Sequence, residues 1–206
     1  MIVSELTGTE YHEQYQTLEI SNLSRQLDFL KSLVFTAVNL DKKFLSQTII
    51  KALNFHAISC LHDSAGQYRP WDVEVGQHNP PQFFRVNALM DDFVNTVNVN
   101  WKDTNPIYLS SYVLWRLIWI HPFINGNGRT ARACCYFVLC VKSNGLLPGT
   151  TTLPTLMKQN RNQYIEALRY ADYGYTTQMD EREFLEPLNQ LIRDDLSIQL
   201  SSANLS

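Results

Sequence analysis

A chain of 206 residues, 45% of them hydrophobic and 18% charged, is long enough to bury a core of its own, as one domain or one domain with an appendage. Seventeen basic against twenty acidic residues leave a formal net charge of −3, which carries no nucleic-acid or anionic-membrane footprint, so any phosphate chemistry must be local. The apolar runs at 112–120 and 133–141 fall far short of the roughly 18 residues of a membrane span, and the N-terminus lacks a basic start followed by an apolar stretch; the expectation is a cytoplasmic protein.

Leu23, Leu27, Leu30 and Val34 recur at helical spacing, as do Ile49, Leu53, Ala57 and Leu61, so the first half of the chain reads as amphipathic helix. Asp63-Ser-Ala-Gly66 ends the second of these with turn chemistry. Trp71, Val73 and Val75 then alternate with polar residues up to Gly76, a short-strand signature, and Asn79-Pro80-Pro81 forbids helix just beyond. Leu109, Val113, Leu117 and Ile120 form the face of a further helix that runs into His121. From Arg129 a very apolar segment reaches Val141 and meets Asn144-Gly145, a helix C-terminus, which predicts a helix buried all round. Leu153 to Met157 reads as a short helix or turn and Asn160 to Ala171 as a helix, and Pro187 suits the first turn of a last one carrying Leu188, Ile192 and Leu196. The fold class is therefore all-α with one small β element. Cys60, Cys134, Cys135 and Cys140 have neither metal-site pairing nor a disulfide framework and read as buried free thiols.

Between the two central helices stands His121-Pro-Phe-Ile-Asn-Gly-Asn-Gly-Arg-Thr-Ala-Arg132. A helix N-terminus exposes unpaired N–H groups and a partial positive charge, so two arginines in its first turns are unfavourable unless an anion completes the site. Gly126-Asn127-Gly128 is suited to turn its amides inward as a nest, with Arg129 and Arg132 clamping further oxygens of a polyphosphate. The alternative is that both arginines pair with carboxylates of the protein and the glycines merely make a turn. His121, at the other end of the loop, suits a general base, and equally a helix C-terminal cap. His56 lies on an apolar helix face and reads as a core histidine, whereas His12, His62 and His78 show no ligand spacing.

The segment resembles the signature of Fic-domain proteins, His-Pro-Phe-x-(Asp/Glu)-Gly-Asn-Gly-Arg-x-x-Arg, departing from it only at Asn125. Residues 66–76 resemble the start of that family's β-hairpin flap, and 160–168 the helix after the motif. The resemblance divides the chain into an N-terminal helical segment (1–44), a Fic-like core (45–196) and a C-terminal tail (197–206). It implies a protein adenylyltransferase that moves AMP from ATP to a Ser, Thr or Tyr hydroxyl of a target protein. His121 would be the base and Phe123 an anchor. Gly126, Asn127 and Gly128, with the Asn127 side chain, would hold the α-phosphate region, and Arg129 and Arg132 the β- and γ-phosphates. Val73 and Val75 of the flap would add a target segment as a strand, and Tyr164 and Asp172 would border the adenine. Mg²⁺ is implied as a cofactor, with Asn125 offering it only a neutral carbonyl oxygen where a carboxylate is usual. Two alternatives stand beside this: a Doc-like phosphotransferase, and a nucleotide-binding interaction module without catalysis. Many relatives carry an inhibitory (Ser/Thr)-x-x-x-Glu-(Gly/Asn) helix. Thr9 to Glu13 and Thr177 to Glu181 approach it only loosely and read as surface sequence, leaving an inhibitory partner, a homo-oligomer or the weakened metal site as modes of control.

Overall fold

The computed structural model describes residues 8–42 and 44–203, and what the sequence predicts for residues 1–7 and 204–206 lies outside it. Among the described residues there are eight α-helices and no strand. α1 (Glu13–Asn39) starts at His12, whose ring Nδ1 accepts from the Gln14 amide. Two of its carboxamides dock it on the next helix: Asn22 donates to the Ser59 carbonyl at 2.8 Å and Gln26 to the Leu53 carbonyl at 2.9 Å. Leu30 and Val34 enter the core, whereas Leu23 and Leu27 are half-buried and face a cavity.

α2 (Gln47–Ile58) is capped by the Ser46 hydroxyl, which accepts from the Ile49 amide. It stops before the turn at 63–66, because the Leu61 and His62 amides both fold back on the Ile58 carbonyl and Cys60 takes φ 63. The spacing Val86, Met90, Phe93 and Val97 builds α3 (Val86–Val99), a helix the sequence reading passed over. α4 (Pro106–Ile120) begins at Asn105, whose Oδ1 accepts from Ile107 N–H at 2.9 Å, with Pro106 in the first turn. α5 (Asn127–Lys142) is buried on nearly every side, as its composition required. α6 (Leu153–Gln159), α7 (Arg161–Thr176) and α8 (Glu181–Ala203) complete the bundle. Pro187 lies inside α8 rather than in its first turn, because the helix opens earlier, at Glu181. That helix also runs through residues 197–203, where Gln199 is buried and bonds the Leu153 amide and the Tyr136 hydroxyl.

α4 and α5 pack on each other and share one core. α1, α2 and α6 lie against α5; α3, α7 and α8 lie against α4. Cys134, Cys135 and Cys140 are small buried apolar groups there, and burial pushes the Cys140 thiol up to about 11. Cys60, expected to be buried, is exposed in the turn after α2. His56 is only half-buried and packs its ring on Phe29 at 4.4 Å. No helix among the described residues is long and apolar enough to cross a membrane.

The stretch 67–76 is not a laddered strand. It makes two isolated antiparallel bridges, Tyr68 with Phe123 and Val75 with His78, the latter closed by His78 N–H on the Val75 carbonyl at 2.9 Å. Its alternation is that of an extended segment, but the neighbouring groups that would form a ladder are taken by a side chain. Arg69, 3% exposed, donates to the carbonyls of Trp71 and Pro81. The flap is therefore a tight turn on an arginine post.

Candidate functional site

The helix α4 ends because His121 adopts a left-handed conformation (φ 50, ψ 58) while its N–H still bonds the Leu117 carbonyl. Phe123, 1% exposed, pins the loop to the core against the Tyr68 ring. Asn127 then closes the loop on itself: its Oδ1 accepts from Phe123 N–H at 3.0 Å and its Nδ2 donates to the Phe123 carbonyl at 2.8 Å. One N–H and one lone pair of that carboxamide are thus spent within the loop, which fixes the orientation of the side chain and leaves its second N–H for a ligand.

Gly126 sits at φ 78, and a Cβ there would lie 2.8 Å from the Ile58 side chain and 3.0 Å from Asn54 Nδ2. Asn54, fully buried on α2, ties three pieces together. Its Nδ2 donates to the Asn125 carbonyl and the Thr130 hydroxyl, and its Oδ1 accepts from Gly66 N–H at the base of the flap. The first hydrogen bond of α5 is Thr130 N–H to the Gly126 carbonyl, so the amides of Asn127, Gly128 and Arg129 precede it, as an anion nest requires. Gly128 keeps the nest open: its absent side chain leaves room for the Arg132 guanidinium, 3.3 Å from where a Cβ would stand.

The two arginines are not equivalent. Arg129 is engaged by the protein, with Nη1 on Glu19 Oε1 at 2.9 Å and on the Ala57 carbonyl at 3.2 Å, and Nη2 on Asn125 Oδ1 at 2.7 Å. Arg132 has no ion pair among the described residues and lies 5.9 Å from the centroid of the Tyr164 ring. Tyr164 is buried beneath it, a support for Arg132 rather than a wall of the open site. A cavity of about 290 Å³ opens beside the pair, between α1, α5 and α6, with Leu23, Leu27, Thr155 and Lys158 among its walls.

Asn125 donates from Nδ2 to Glu10 Oε1 at 2.8 Å and accepts at Oδ1 from Arg129. Its single side-chain acceptor therefore faces a guanidinium, which repels a cation. These residues do not fit Mg²⁺, which asks for anionic oxygen.

At the opposite end of the loop, the His121 Nδ1 is buried with no hydrogen-bond partner among the described residues. Burial lowers its pKa from 6.5 to about 4; the Ile118 backbone pulls upward, and the charges of His78 and Arg69 push down further. His121 is thus neutral at pH 7, the state a proton acceptor needs. Arg69 holds it from behind, with Nε on the His121 carbonyl at 2.9 Å and its backbone N–H on the Pro122 carbonyl at 2.8 Å. The far end of the flap is clamped by His78, whose Nε2 meets the Trp119 carbonyl at 2.9 Å and whose Nδ1 meets Asp172 at 3.2 Å. Burial disfavours the charged His78 ring, but Asp172 and the Trp119 carbonyl together raise its pKa. Asp172 also accepts from Trp115 Nε1 at 2.9 Å, so it anchors the flap to α7. Val73 and Val75 are half-buried on the turn, available only at its edge.

Sequence reasoning missed the acids at the loop. Glu13 is exposed and Glu181 accepts from Tyr108 instead; the carboxylates that reach the motif are Glu10 and Glu19. Neither precedes Gly or Asn, and only the docking of α1 across α5 reveals them. Asn54 was equally hidden, although a polar residue in the apolar register of Leu53 and Ala57 was a visible sign.

A model of the Fic/DOC family matches residues 44–139. Curated relatives include the protein adenylyltransferase Fic of Drosophila yakuba, 34% identical over 111 residues that make up 53% of this chain and 21% of the relative. That of Drosophila grimshawi is 33% identical over the same shares. The match thus spans about a fifth of those relatives' length. Among solved structures, Fic-1 from C. elegans superposes with a TM-score of 0.68 at 20% identity, covering 91% of this chain and 52% of its own. A Fic domain containing signaling protein from Bacteroides thetaiotaomicron gives 0.68 at 19% identity, covering 92% and 74%. The matched segment carries the His121-to-Arg132 loop, and the chain shares the helical fold of these Fic structures.

Proposed function

We propose that the protein is an adenylyltransferase that moves AMP from ATP to a hydroxyl side chain of a target protein. The observation that carries this reading is a neutral histidine at one end of a hydrogen-bonded loop whose other end is an open helix N-terminus with Arg132 above it. The α5 amides take the α-phosphate region, and Arg132, with Arg129 once released, takes the outer phosphates. A target hydroxyl then attacks the α-phosphorus and His121 accepts its proton. A new P–O bond forms to the hydroxyl oxygen, the bond to the bridging oxygen breaks, and pyrophosphate carries away the negative charge. The flap edge at Val73 and Val75 supports the target backbone. The named adenylyltransferases among the relatives agree with this chemistry.

One observation favours a second state of the same site. Glu19 of α1 occupies Arg129, and Glu10, in the turn before α1, occupies Asn125, so the N-terminal segment holds the loop in a form that binds nucleotide weakly.

Purified protein incubated with ATP labelled on the α-phosphate is expected to label itself or a lysate protein. His121→Ala should abolish that label and Glu19→Gln should increase it. Label arriving from the γ-phosphate instead would replace this reading with phosphotransfer. Nucleotide binding without label from either position, in both native protein and Glu19→Gln, would reduce it to a binding module.

A further inference from the structure

The orientation of the Asn125 carboxamide is fixed by chemistry rather than by choice of fit. Arg129 has donors only, so the atom 2.7 Å from its Nη2 must be the oxygen; the outward atom is then the NH₂ group, and it meets a carboxylate oxygen of Glu10, which has acceptors only. Position 125 therefore presents a hydrogen-bond donor to the site. A divalent cation has no use for a donor, whereas an anionic oxygen does. In the present arrangement, the carboxylates of Glu10 and Glu19 stand where such oxygens would be received, one on the Asn125 amide and one on Arg129.

The walls of the adjoining cavity point the same way. Arg129, Arg132 and Lys158 line it, and no carboxylate does. Three cations, the α5 amides and the Asn125 amide together offset the charge of a polyphosphate that a metal would otherwise neutralise.

Resting on the nucleotide reading above, we infer that Asn125 makes this a metal-free polyphosphate site: its side-chain N–H takes a phosphate oxygen in place of Glu10, and the nucleotide binds without a divalent cation. Glu10 and Glu19 compete with the ligand for the same donors, and both leave as it enters.

The test is calorimetric binding of ATP, and separately of inorganic tripolyphosphate, to the full chain in EDTA and in Mg²⁺. Native protein is expected to bind both at least as tightly in EDTA as in Mg²⁺. Glu10→Gln, which removes a competing charge, should tighten binding in EDTA several-fold. Asn125→Asp should weaken it in EDTA by about tenfold, the loss of one charge-assisted donor, and should regain it with Mg²⁺. Native binding that requires Mg²⁺, or an Asn125→Asp variant with unchanged metal dependence, overturns the inference while leaving AMP transfer standing. Binding in EDTA with no transfer of label overturns the transferase reading and leaves the metal-free site standing. Absence of binding by native protein and by Glu10→Gln under both conditions removes both.

Discussion

Gly126→Ala separates the architecture of the loop from its chemistry. A non-glycine residue at φ 78 leaves the favourable region at a cost of about 1–2 kcal/mol. The new methyl would also meet Ile58 Cγ2 at 2.8 Å and Asn54 Nδ2 at 3.0 Å. Neither is the loose end of a flexible chain, because Asn54 is held by the Asn125 carbonyl, Thr130 and Gly66. Such overpacking costs about 1–3 kcal/mol more, so the variant should lose about 2–5 kcal/mol in urea unfolding, with a lowered midpoint and an unchanged slope. Gly128→Ala is the matched control. It lies within the helix at an ordinary φ, and its methyl approaches only Arg132 Nη1 at 3.3 Å. It should keep or gain stability, by up to about 1 kcal/mol, and yet weaken polyphosphate binding by displacing Arg132. A loss below about 0.5 kcal/mol for Gly126→Ala, or equal losses for both variants, would refute the reasoning.

Two further outcomes concern the frame around His121. Its folded pKa of about 4 lies below the ordinary 6.5, so between those values the unfolded chain binds a proton that the folded chain does not. Its stability contribution is complete above pH 6.5 and is lost as the pH falls toward 4, by up to about 3 kcal/mol; His121→Gln should flatten that limb of the unfolding curve, and an unaltered slope counts against a neutral buried ring. His78, with a raised pKa, has the opposite sign, so His78→Gln should remove a decline that begins above pH 6.5. Arg69→Met removes the donors that serve the carbonyls of His121, Trp71 and Pro81 and should cost about 3 kcal/mol in thermal or urea unfolding, since three part-buried acceptors lose their partner. A melting temperature within a degree or so of native would show that water replaces it.

Local sequence suffices for the helices that carry continuous apolar faces and for the chemistry of the loop between two of them. The spacing of Leu109, Val113, Leu117 and Ile120, the run from Ala133 to Val141 and the residues from His121 to Arg132 are local facts, written in periods and in side-chain types. A base, a glycine-bounded nest and two arginines are legible in that way because each residue's character follows from its own composition and immediate neighbours.

Which of these groups is free to act depends on the fold. Asn127 reads in sequence as a ligand, and the fold also makes it a loop staple, because its carboxamide folds back on Phe123. Arg129 and Arg132 look alike in sequence and differ in the fold, because α1 crosses near one and lays Glu19 on it. Asn125 looked like a weak cation ligand, and its partners Arg129 and Glu10 turn its amide outward as a donor. The physical reason is common to all three. A polar side chain has a fixed inventory of donors and acceptors, and that inventory is spent by whatever the fold brings within about 3 Å, from any distance along the chain.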